Sequence, residues 1–124
     1  MSEALKKPTA RAVAEAIFAG FVRMQRDRSG SWGCMIVSGA PACGAGAQPV
    51  RRELARLRQA TVAALRERFE RAVREGDLPG VTDCATLARY VATVLNGLAV
   101  QAASRATEKE LRLLSAMAMR AWPA

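Results

Sequence analysis

Apolar side chains recur every three to four positions through most of this chain, and that spacing predicts helices. From Thr9 to Arg26, Val13, Ile17, Phe18, Phe21, Val22 and Met24 cover one broad face, while Arg11, Glu15 and Arg23 point elsewhere. Pro8 precedes this segment and Thr9 can cap it. The stretch "CMIVSGA" (34–40) lies between Gly30/Gly33 and a Gly/Ala-rich loop. Periodicity allows it to be a short buried helix or a strand; with no second strand candidate to pair with, a short helix is expected. From Val50 to Glu75 a long helix is predicted, its buried side running from Val50, Leu54 and Leu57 to Leu65, Phe69 and Ala72. "EGDLPG" ends it, with Gly76 as the C-terminal cap and Pro79-Gly80 in the turn. The next helix is expected from about Asp83 to Arg105, with Thr82 or Asp83 as its cap, and is apolar nearly all round. The last is expected from Thr107 to about Trp122, opened by a Thr107/Glu110 capping box.

The C-terminal helices carry more apolar surface than one small core needs. Leu111, Leu114, Ala118 and Trp122 form one stripe, and Leu113, Met117 and Ala121 form a neighbouring one. A self-matching apolar patch is buried by a two-fold axis, so a homodimer through the last two helices is expected. Leu98, Leu111, Leu114, Ala118 and Trp122 are its predicted contacts, the competing reading being a larger core within one chain.

At 124 residues and 51 % hydrophobic residues, the chain is of a length for one globular domain. Only 5 % of its residues are aromatic, which suits a core of closely packed helices. The net charge of +8 rests on 16 arginines and three lysines. Nucleic acid is the first partner such charge suggests. However, no basic stripe is interleaved with aromatics for base stacking, and Glu67–Arg71 and Glu70–Arg74 sit at helix-pairing distance. A solvated arginine face is therefore the preferred reading, also for the local cluster Arg51, Arg52, Arg56 and Arg58.

With no histidine, no Cys-x-x-Cys and no phosphate loop, neither a metal site, a cofactor nor enzyme activity is expected. Cys34 and Cys84 read as small buried hydrophobes; Cys43 is the candidate reactive thiol, with an inert loop cysteine preferred. No apolar run approaches a membrane span and no secretory signal is present, so a reducing cytoplasm is the expected location.

Four segments, in this order and spacing, carry a resemblance to a known family. "WGCMIVSGA", "VRRELARLRQATVAALRERFERAVREGDLP", "DCATLARYVATVLNGLAVQAAS" and "TEKELRLLSAMAMRAW" resemble the C-terminal domain of TetR/AcrR transcriptional regulators. The matching features are Gly33-Cys34-Met35-Ile36, Glu75-Gly76-Asp77-Leu78 and Gly97-Leu98-Ala99, followed by a final helix of the kind that dimerises. The resemblance implies an all-α bundle of about four long helices plus one short helix. Residues 1–8 would be a linker remnant and residues 9–124 an effector-binding and dimerisation domain. It also implies a cavity for a small apolar or aromatic effector. Phe18, Phe21, Val22, Met35, Phe69 and Leu95 are its predicted walls, with Tyr90 as a polar contact; the same residues would equally serve as plain core.

Such regulators read DNA with an N-terminal helix-turn-helix domain of about 45–60 residues. No segment here reads as a recognition helix, so DNA binding is expected only through a head absent from this sequence. The expected function is small-molecule sensing and dimerisation within a repressor of this type. Two alternatives are a headless partner that forms inactive heterodimers with a full-length regulator, and a non-specific nucleic-acid binder.

Overall fold

The computed structural model describes residues 1–28 and 48–124. The short helix expected over residues 34–40, with Met35, Cys34 and Cys43, lies outside the described residues. Within them the chain is all-helical: α1 (Ser2–Leu5), α2 (Ala10–Arg28), α3 (Gln48–Arg74), α4 (Cys84–Ala103) and α5 (Glu108–Met119).

Each boundary has a local cause. Thr9 Oγ1 accepts the Ala12 N–H at 3.1 Å, starting α2 one residue after the predicted cap. The end of α3 is a Schellman motif: the Asp77 N–H donates to Ala72 O at 2.8 Å and the Gly76 N–H to Val73 O at 3.1 Å. Gly76 takes φ +80°, the left-handed conformation this turn requires. Asp83 caps α4, its carboxylate accepting the Thr86 N–H at 3.0 Å and the Thr86 hydroxyl at 2.7 Å. Thr107 caps α5 by accepting the Glu110 N–H at 3.1 Å, and its hydroxyl donates to the Glu110 carboxylate at 3.1 Å. That helix stops at Met119, three residues before the predicted end. Trp122 lies past it, edge-on to Phe69 with ring centroids 5.7 Å apart.

The predicted face of α2 is the observed one: Val13, Ile17, Phe18, Phe21 and Val22 are all buried. They meet Leu65, Phe69 and Ala72 of α3, Leu87, Val91 and Leu98 of α4, and Leu111 of α5 in a single core. α4 touches α2, α3 and α5, while α2 packs mainly on α5 and meets α3 only sparingly. The consequence falls on α3. Its C-terminal part packs into the core, but its N-terminal part does not: Val50 and Leu57, expected on the buried side, are about half exposed.

Candidate functional site

The separation of α2 from the first half of α3 leaves a cleft of about 1350 Å³. Ile17, Gly20, Phe21 and Met24 form its wall on α2; Leu57, Thr61 and Val62 form the wall on α3. α4 contributes Ala92, Thr93, Leu95, Asn96 and Ala99. The fourth side is the N-terminal segment, including Glu3, Lys6, Lys7 and Pro8. The interior is mainly apolar, with Thr61, Thr93 and Asn96 as hydrogen-bonding groups and charged side chains also present.

Of the predicted cavity residues, Phe21 and Leu95 line this cleft. Phe18, Val22 and Phe69 belong to the packed core and do not line it. Tyr90 faces away from it: its hydroxyl donates to the Ala118 carbonyl at the end of α5, and its ring borders a separate shallow depression with Pro79 and Pro123. Met35 lies outside the described residues.

The N-terminal segment is tied to the rest of the molecule by two charged side chains that the sequence reading passed over. Arg68, on the core side of α3, is 6 % exposed. Its Nε donates to the Leu5 carbonyl at 3.1 Å and its Nη2 to the Lys7 carbonyl at 2.9 Å. Asp77, just past α3, accepts the Ala10 N–H at 2.7 Å and so satisfies one of the unpaired donors at the start of α2. The signal for Arg68 was its place in the i, i+4 stripe with Leu65, Phe69 and Ala72, where an arginine is rarely left without partners. Asp77 carried no such periodic mark.

A second candidate surface lies on α5 and the end of α4. Leu113 is 59 % exposed, Met117 65 %, Leu114 42 % and Val100 43 %. Of the predicted interface residues, Leu114 is exposed, Ala118 is half-buried and Trp122 packs on Phe69. Leu98 and Leu111 retain 2 % of their surface and are committed to the chain's own core.

Two of the resolved ionisation shifts, those of Asp83 and Cys84, belong to groups outside the cleft lining. Hydrogen bonds from the Thr86 hydroxyl and N–H hold the Asp83 carboxyl below the usual carboxylate range. Burial, with Glu70 and Asp83 nearby, pushes the Cys84 thiol up. No group of three metal-ligating side chains occurs among the described residues. No described helix is long and apolar enough to cross a membrane.

This cleft-bearing bundle is a known type of domain. Residues 11–119 match the family model described as the tetracyclin repressor-like C-terminal domain. Among solved structures, a cysteine double mutant of the TetR-family transcriptional regulator CifR, complexed with 26-bp double-strand operator DNA, is 33 % identical with a TM-score of 0.89. That match covers 98 % of this chain and 64 % of CifR. A TetR transcriptional regulator from Rhodococcus sp. RHA1 is 34 % identical with a TM-score of 0.84, over 98 % of this chain and 65 % of its own. A cysteine triple mutant of CifR with the same length of operator DNA gives 34 % and 0.83, over 94 % and 61 %. No curated protein matches the chain. The chain belongs to the TetR family of transcriptional regulators, and its sequence corresponds to the C-terminal regulatory domain. It spans just under two thirds of the length of these relatives.

Proposed function

We propose that this domain senses a small molecule in the cleft between α2, α3 and α4 and dimerises through α5 and the end of α4. The observation that carries the reading is that the N-terminal segment forms one wall of the same cleft. An occupant preferring one separation of α2 and α3 shifts the population toward it. Arg68 ties α3 to the carbonyls of Leu5 and Lys7, and Asp77 ties the end of α3 to the first turn of α2. Relative movement of α2 and α3 therefore strains the segment 5–10, which is the route by which an occupied cleft reaches the chain's N-terminal end. Small-molecule binding and homodimers are typical of the family. The reading covers sensing and dimerisation alone: the CifR structures that hold operator DNA are of a longer chain.

Thermal-shift screening of the chain beside a Thr93→Trp variant tests this. Thr93 is exposed and lines the cleft, so the indole narrows it from the α4 wall with little disturbance to the core. Compounds that stabilise the wild-type chain and fail to stabilise the variant are expected. If every stabilising compound acts equally on both, the cleft is not a sensing site.

A further inference from the structure

We infer that the cleft selects organic anions: ligands with an apolar, preferably aromatic body and one carboxylate, sulfonate or comparable acidic group. This deepens the sensing reading and rests on it.

The inference starts from the charges around the cleft. Five cations line it, Lys6, Lys7, Arg23, Arg58 and Arg89, against two anions, Glu3 and Asp27. Both anions are already engaged. Glu3 pairs with Lys6 at 3.0 Å, and Asp27 pairs at 3.5 Å with Arg26, which lies outside the lining. Among the described residues, neither Arg23 nor Arg89 has a carboxylate within ion-pair distance.

These two arginines sit on different walls, Arg23 on α2 and Arg89 on α4. Arg23 also lies along its wall. A Cβ placed on Gly20 would come 3.9 Å from Arg23 Nη2, so the guanidinium is folded back one turn over the bare glycine backbone. Between the two walls the lining is apolar, with Ile17, Phe21, Met24, Val62 and Leu95. A cation beside apolar surface favours a ligand that brings both properties, because the apolar body excludes water and strengthens the charge-assisted hydrogen bonds. A neutral apolar ligand leaves those arginines in water and gains nothing from them. A polynucleotide gains from the charge, but the cleft offers its bases no row of aromatic side chains to stack on.

Two fluorescent probes with nearly the same aromatic body separate these terms: 1-anilinonaphthalene-8-sulfonate and its uncharged analogue N-phenyl-1-naphthylamine. Both would be titrated into the wild-type chain, Thr93→Trp, the pair Arg23→Gln/Arg89→Gln, and the control pair Arg74→Gln/Arg120→Gln. The control removes the same formal charge from exposed positions outside the cleft. Thr93→Trp is expected to weaken both probes. The cleft pair is expected to weaken the sulfonate about tenfold or more and leave the neutral probe unchanged. The control pair should change neither by more than about twofold, because exposed charges at a distance are screened. If the cleft pair and the control pair weaken the sulfonate equally, anion selectivity is overturned while the cleft stands as a binding site. If Thr93→Trp affects neither probe, the sensing reading itself is overturned. Unchanged circular dichroism of each variant ensures that a lost signal reports the site and not the fold.

Discussion

Cys84 follows the α4 cap directly, and its thiol donates to the Thr82 carbonyl at 3.8 Å. It is buried, and burial is the main reason its pKa is raised; Glu70 and Asp83 add to the effect and Arg66 opposes it. The thiolate is the reactive form, so raising the pKa lowers reactivity at every pH below it. In a Cys34→Ser/Cys43→Ser background, Ellman's reagent at neutral pH is expected to modify Cys84 at least about tenfold more slowly than the unfolded chain. The rate should keep climbing with pH beyond about 8.5, where a free cysteine levels off. Equal rates for the folded and unfolded chain would contradict this. Arg68 is the opposite case of a buried group, a permanent charge kept inside by two backbone carbonyls.

At the scale of elements, α3 and α4 end in the same motif with different residues. At α4 the Ala106 N–H donates to Gln101 O at 2.9 Å and the Arg105 N–H to Ala102 O at 3.1 Å, the pattern seen at Gly76. The left-handed position is filled by Arg105, at φ 68°. An L-residue pays a steric cost there that glycine escapes, partly offset by glycine's larger loss of chain freedom on folding. Arg105→Gly is therefore expected to raise stability by up to about 1 kcal/mol in urea unfolding, and Gly76→Ala to lower it by about 1 kcal/mol. A Cβ at Gly76 meets no atom within 4 Å, so the second effect isolates backbone conformation from packing. A loss of stability on Arg105→Gly would mean that Arg105 makes a stabilising contact outweighing its strain.

For the whole molecule, the consequence to test is association. Leu113, Leu114, Met117 and Val100 put large apolar side chains in water on one chain of 13.3 kDa. Two copies joined across this surface would remove them from it. Sedimentation is expected to give twice the chain mass for the wild type, and the single-chain mass for Leu113→Glu/Met117→Glu with helicity unchanged. A wild-type chain that stays monomeric at high concentration, or a variant that stays dimeric, rejects this interface. Leu111→Glu is not an equivalent test, because Leu111 is buried inside the protomer and its loss would damage the fold.

The four long helices and most of their ends were determined by the sequence alone; α1 was not, since residues 1–8 read as a linker. Apolar spacing of three to four residues and local caps act over a few residues, and Thr9, Gly76, Asp83 and Thr107 each do so through short-range hydrogen bonds or backbone conformation. The sequence also placed the TetR-type features Glu75-Gly76-Asp77-Leu78, though not the role of Asp77, whose partner Ala10 is 67 residues away. Three matters were decided only by tertiary structure. One is how α5's two neighbouring stripes divide between core and surface: the packing of α5 on α2 and α4 buries Leu111 and leaves Leu114 of the same stripe exposed, with Leu113 and Met117 of the other. Another is which apolar residues line a space and which fill one. Phe18 and Phe69 share the spacing of Phe21, but only Phe21 faces the gap between α2 and α3. The last is the setting of the arginines: Arg68 sealed in the core, Arg23 and Arg89 on two walls of one cleft. Periodicity tells which residues share a face of a helix; what lies opposite that face depends on chain segments far away in sequence.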